Sequence, residues 1–155
     1  MSGFEIKNLA NPLYFEENVL PPHSDHKYYS SEAELASGCS SFKYSLNGLW
    51  HIHVARNLAE RPEGFEGSDY DCRHWDTIAV PAHIQMEGYG KPHYTNTTYP
   101  WDGHEAIVPG ELPQENPVAS YVKYFAVPEG WQDVRISFQG AETALAVWLN
   151  GHFVG

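Results

Sequence analysis

Leu49-Trp50-His51-Ile52-His53-Val54-Ala55, read LWHIHVA, decides the fold class. Trp50, Ile52 and Val54 alternate with His51 and His53, a period of two that places the apolar set on one face of an extended strand and the imidazoles on the other. The expectation is a strand with one buried face and one polar, solvent-facing side. The same grammar recurs along the chain. DTIAVP (Asp76 to Pro81) is a short strand stopped by proline, and SYVKYFAVP (Ser120 to Pro128) is another. DVRISFQG (Asp133 to Gly140) directs Val134, Ile136 and Phe138 inward and Arg135, Ser137 and Gln139 outward. TALAVWLNGHFVG (Thr143 to Gly155) reads as a strand, an Asn150-Gly151 turn and the start of a return strand, Asn-Gly being the strongest short hairpin signal. Several short strands punctuated by Gly and Pro, with little helix, predict an all-β domain of the β-sandwich or jelly-roll type.

Residues 1–40 differ from the rest. NPLYFEENVLPPHSDHKYYSS (Asn11 to Ser31) holds three prolines and no sustained period, so it is expected to form an extended lead-in that packs along something else. Ser31-Glu32-Ala33-Glu34 fits a capping box and predicts a short helix ending at Gly38. The division that follows is a lead-in over 1–40 and a sandwich over 41–155. Beyond the Asn150-Gly151 turn only four residues remain, fewer than a return strand for TALAVWL needs, so the domain is expected to be C-terminally truncated and part of a longer protein.

The 155 residues are 42% hydrophobic and 14% aromatic, enough to build a core. A net charge of −11 excludes the clustered Lys and Arg that nucleic acid or an anionic membrane requires, and no apolar run reaches the length of a membrane span. The start, MSGFEIKNLANPLYF, lacks a basic region followed by an apolar one. Cys39 and Cys72 match no zinc spacing and read as reduced thiols, giving a cytoplasmic expectation.

His51 and His53 could supply half of a metal site, but two imidazoles are an incomplete set of ligands, and no metal is assigned to the chain. Glu16, Glu17, Asp69, Asp71, Asp102 and Glu105 lie in polar segments and are expected to be solvated charges. A glycoside-cleaving pair of carboxylates must sit about 5 to 9 Å apart in a pocket, and no pattern singles out such a pair. No catalytic residue is therefore assigned.

The segment WDTIAVPAHIQMEGYGKPHYTNTTYPW (Trp75 to Trp101) is a strand followed by a long loop rich in aromatics, Gly and Pro. Long loops of this kind in compact domains are usually functional. Tyr89, Tyr94, Tyr99 and Trp101 offer flat apolar faces, and Thr95, Asn96, Thr97 and Thr98 offer donors and acceptors, the mixture a sugar needs. Asn96-Thr97-Thr98 also matches the N-glycan acceptor pattern, which a chain outside the secretory pathway does not use. Asn96 alternatively caps its own turn.

FKYSLNGLWHI (Phe42 to Ile52), the Trp75 to Trp101 segment, ENPVASYVKYFAVP (Glu115 to Pro128) and ISFQGAETALAVWLNGHFVG (Ile136 to Gly155) together resemble the N-terminal sugar-binding domain of glycoside hydrolase family 2 β-galactosidases of the bacterial lactose-utilisation type. The resemblance implies a galactose-binding-like jelly roll that precedes immunoglobulin-like domains and a catalytic barrel. It further implies that the parent hydrolyses terminal non-reducing β-D-galactose residues with retention, its two catalytic glutamates lying in the barrel. Asn96 matches the family's YTN asparagine, which implies that it hydrogen-bonds galactose. Magnesium and sodium are implied for the full-length enzyme and no cofactor for this segment; Asn11 alone matches the opening that holds a structural magnesium in some relatives. The implied partners are the rest of the parent chain and a β-galactoside, with the oligomeric state left open. A stand-alone carbohydrate-binding module, or the equivalent domain of a β-glucuronidase or β-mannosidase, stands as the alternative.

Overall fold

The computed structural model describes residues 4–24, 26–91 and 95–155. Its centre is a three-stranded antiparallel sheet in the order β2-β1-β3, formed by β1 (Gly48–Ala55), β2 (Asp76–Val80) and β3 (Val118–Val122). β1 is the middle strand because it is the longest stretch of strict alternation, and both of its edges are paired. Trp50 stands opposite Ile78, and Ile52 opposite Tyr121, so these four side chains share one face. Ile52 is 1% and Ile78 3% exposed, and the Trp50 and Tyr121 rings meet edge to face at 6.4 Å. The Trp50 indole N–H donates to the Leu46 carbonyl at 2.8 Å, so burying this ring leaves no donor unmet.

The opposite face corrects the expectation of a solvated one. His53 packs on Trp75 with ring centroids 5.5 Å apart, and His51 meets the Tyr124 ring at 6.4 Å. Trp75, 7% exposed, is the hub: Phe65 and Tyr70 pack on it at 5.9 and 5.6 Å. Ser120, directly across from His53, is also buried. The Nδ1 atoms of both imidazoles are enclosed without a hydrogen-bond partner, which adds a desolvation cost that the aromatic contacts must offset. Alternation in the sequence shows which residues share a face, but not that a separate loop covers the polar one.

Asn150 and Gly151 sit at φ 51° and 80°, the positive values a type I′ turn demands at both central positions, and they join β4 (Trp148–Leu149) to β5 (His152–Phe153). Backbone bonds between Val147 and Val154 and between Val147 and Gly155 extend the ladder. Phe65 reaches Trp148 at 6.2 Å, and Phe4 packs on Trp148 and Phe153 at 5.2 and 5.7 Å, so an aromatic chain ties this hairpin and the N-terminal residues to the hub.

Three expected strands are shorter or absent, TALAVWL contributing only Trp148–Leu149 as strand. Pairing of SYVKYFAVP stops at Val122, and DVRISFQG forms no ladder, leaving Val134, Ile136 and Phe138 at 51, 45 and 41% exposure instead of inward. A period of two marks a segment able to be a strand, but without a neighbouring strand its N–H and C=O groups have no ladder to join. The antiparallel, strand-and-coil architecture is consistent with a β-sandwich. The accessible surface is 12,611 Å², where a compact monomer of this mass exposes roughly 7,900 Å².

The predicted capping box forms with one change. Ser31 accepts the Glu34 N–H at 3.2 Å, and α1 (Glu32–Ser37) ends on Gly38 at φ 72°. The Glu34 carboxylate passes over the Ser31 N–H and takes those of Ser30 and Ser41 instead, at 2.9 and 3.2 Å. The Ser30 hydroxyl, donating to the other oxygen at 2.5 Å, and these N–H bonds together stabilise its charged form and hold its carboxyl down to about 2.

Candidate sugar-contacting loop

The loop begins where β2 meets Pro81, which has no N–H to continue the ladder, and runs to β3. A single 3-10 turn, Ile84–Glu87, opens it and closes on Gly88 at φ 93°. Tyr94 lies outside the described residues. Thr95, Asn96, Thr97 and Thr98 are all exposed, the last three in a bend. The aromatic side chains separate into two roles. Tyr89 donates to Asp76 Oδ2 at 3.1 Å, and burial together with that bond pushes its phenol up. Trp101 donates its indole N–H to the Glu115 carbonyl at 2.8 Å. Both rings thus hold the loop to the sheet side of the chain. Tyr99 is 74% exposed and offers a bare face three residues from Asn96.

The acidic residues of this region lie exposed or half-exposed, as expected of solvated charges, and they also hold neighbouring backbone. Asp102 accepts the Tyr99 N–H at 3.0 Å, and Glu105 accepts the N–H groups of Gln114 and Glu115 at 2.7 and 3.1 Å. Elsewhere Glu17 bonds the Tyr14 hydroxyl, and Asp71 forms a two-point pair with Arg73, which pulls its carboxyl well below the usual range. Arg56, at the end of β1, pairs with Glu115 through Nε at 2.7 Å and also through Nη2, and this holds the Glu115 carboxyl down. Sequence reading passed over Arg56 and Glu115, which stand 59 positions apart and carry no local pattern.

Concavities of about 310 and 320 Å³ open elsewhere. The first is lined by Phe4, Phe65, Trp148 and Phe153 among others, the second by Asp71, Arg73 and Tyr124 among others; neither includes Asn96. Asn96 is displayed on an exposed bend of the loop. Among the described residues no group of three or more His, Cys, Asp or Glu converges as metal ligands. The Asn11 side-chain oxygen accepts the Leu13 N–H at 3.0 Å, which leaves its second lone pair uncommitted. Cys39 is exposed and Cys72 buried, both free, and the Cys72 sulfur lies 3.6 Å from the Tyr124 hydroxyl. No helix among the described residues is long and apolar enough to cross a membrane.

Residues 43–155 match the sugar binding domain of glycosyl hydrolases family 2, and the chain belongs to that family. It is similar to the β-galactosidase of Halalkalibacterium halodurans, 52% identical over 91% of this chain and 14% of that protein. The β-galactosidase of Lactobacillus delbrueckii subsp. bulgaricus is 46% identical over 95% of this chain and 15% of that protein. The β-galactosidase large subunit of Leuconostoc lactis is 44% identical over 95% of this chain and 26% of that protein. The chain thus spans between about one seventh and one quarter of the curated relatives it matches.

Proposed function

We propose that this chain is the sugar-binding segment of a β-galactosidase, and that Asn96 holds the galactosyl unit while bond cleavage belongs to another part of the parent. The observation that carries the reading is similarity of 44 to 52% over nine-tenths or more of the chain to proteins named β-galactosidase. The parent would cleave terminal β-D-galactosides by the two-carboxylate retaining route: one acid protonates the leaving oxygen, and the other carboxylate takes the anomeric carbon. This segment contributes orientation. An amide side chain both donates and accepts, so it can bond a sugar hydroxyl in either sense, and the exposed Tyr99 ring offers a face for sugar C–H groups. A fixed sugar presents its anomeric carbon in one geometry, which is worth a large share of the barrel's rate.

In the parent the exposed run over 132–145, which joins no ladder here, pairs with further strands and completes a jelly-roll sandwich. Two free cysteines support a cytoplasmic enzyme. Magnesium and sodium would belong to the full-length enzyme, as the family resemblance implies.

The test is Asn96→Ala in the full-length parent. A sugar contact predicts that kcat/KM falls by the equivalent of about 1 to 3 kcal/mol, the cost of leaving buried polar partners unpaired, with the melting temperature unchanged. An unchanged kcat/KM with a lower melting temperature makes Asn96 a turn cap and places the sugar contact elsewhere.

A further inference from the structure

We infer that Glu105 is a positioning residue: its carboxylate latches the Asn96 loop to the end of β1, and through that latch sets where the amide meets the sugar. The inference rests on the reading of Asn96 as the galactose contact.

Among the described residues between Gly88 and Asn116 no strand forms, so the sheet ladder does not extend along this loop. A contact residue must be held within about half an ångström to bind one hydroxyl arrangement in preference to another, and a long unladdered loop does not supply that by itself. A set of bonds from the sheet reaches Tyr99, three residues from Asn96. At the sheet end, Arg56 grips the Glu115 carboxylate, the Arg56 carbonyl accepts the Asn116 N–H at 3.2 Å, and the Asn57 amide donates to the Gln114 carbonyl at 3.1 Å. Residues 114–116 are thereby an extension of β1. The loop then grips these residues: one Glu105 oxygen takes the Gln114 N–H, the other takes the Glu115 N–H, and the Trp101 indole takes the Glu115 carbonyl. Glu115 is held at its N–H, its C=O and its side chain at once.

The remaining steps are local. The His104 and Glu105 N–H groups donate to the Trp101 carbonyl at 2.9 and 3.0 Å. Tyr99 and Asp102 close a reciprocal turn, Asp102 N–H to the Tyr99 carbonyl at 3.1 Å and Tyr99 N–H to the Asp102 carboxylate at 3.0 Å. That turn ends three residues from Asn96. Among the described residues of the loop, Glu105 is the side chain that spans two peptide groups of the anchor. Its charge makes these bonds stronger than neutral ones, and alanine there would free the 99–105 turn while leaving Asn96 itself intact.

The experiment is a double-mutant cycle in the full-length parent: Asn96→Ala, Glu105→Ala, and both, assayed with a β-galactoside, with hydrogen exchange read at the amides of 97–99. A residue acting through Asn96 loses its influence once Asn96 is gone. Glu105→Ala is expected to lower kcat/KM about tenfold alone but less than about twofold in the Asn96→Ala background, and to speed exchange at 97–99 in both. If Glu105→Ala lowers the melting temperature, Glu105→Gln, which keeps one acceptor oxygen, carries the same comparison at about half the effect on a logarithmic scale. Fully additive losses, a silent Glu105→Ala beside a damaging Asn96→Ala, or unchanged exchange at 97–99 overturn the inference and leave the sugar contact standing. A silent Asn96→Ala overturns the sugar contact itself, and Glu105 is then not a positioning residue for it.

Discussion

The imidazole of His53 lies against the indole of Trp75, ring centroids 5.5 Å apart, and this contact makes the nominally polar face of β1 into the floor of a second core. Phe65 and Tyr70 close around the same indole, and Phe65 passes the contact on to Trp148 and the β4–β5 hairpin.

Trp75→Ala should therefore cost about 3 to 5 kcal/mol of folding stability, the range for emptying a large buried aromatic site. Trp75→Phe should lose less than half of that, because a ring still fills part of the space. Denaturant unfolding followed by circular dichroism in the full-length parent checks both. A loss below about 1 kcal/mol for Trp75→Ala means that the hub contributes little to the core.

The carboxyl of Glu34, drawn down to about 2 from an ordinary 4.5, gives a pH dependence with a definite sign. Its folded-state value lies below its unfolded value, so its contribution is fully present above about 4.5 and is lost as pH falls through about 2. The amide resonances of Ser30 and Ser41, which donate to this carboxylate, should shift together over that acid range. Movement centred near 4.5 shows that the carboxylate is not held by these bonds in solution.

The isolated chain should show no β-galactosidase turnover. Asp71, Asp102 and Glu105 are tied to Arg73, Tyr99 and the 114–115 backbone, roles that hold structure and leave none of the three available as an acid or nucleophile. Incubation of the purified chain with a chromogenic β-galactoside tests this. Turnover that co-purifies with the chain and survives removal of host enzyme contradicts it.

The isolated chain should also self-associate. Its 12,611 Å² of surface includes Val134, Ile136, Phe138, Leu145 and Leu149, all at least 41% exposed, on extended backbone whose polar groups invite a partner strand. Sedimentation should show mass rising with concentration despite the net charge of −11. A monomer with a high, concentration-independent melting temperature contradicts this.

Local rules of the sequence were sufficient for β1, β2, the Ser31 cap and the Asn150-Gly151 turn. Each depends on a period of two, on a side chain reaching a neighbouring N–H, or on φ values that Asn and Gly tolerate, and these interactions span only a few residues. Placing Asn96 in a hydroxyl- and aromatic-rich loop was within reach of the sequence for the same reason. What covers His53, which expected strands find a ladder, and what anchors the loop were settled only in three dimensions. Val134, Ile136 and Phe138 alternate as well as Trp50, Ile52 and Val54 do, yet only the second set has strands on both sides to pair with. Arg56 and Glu115 meet across 59 positions, Tyr124 and Cys72 across 52. Such pairings arise when the chain folds back on itself, and no periodicity in the residues between them encodes the distance that brings them together.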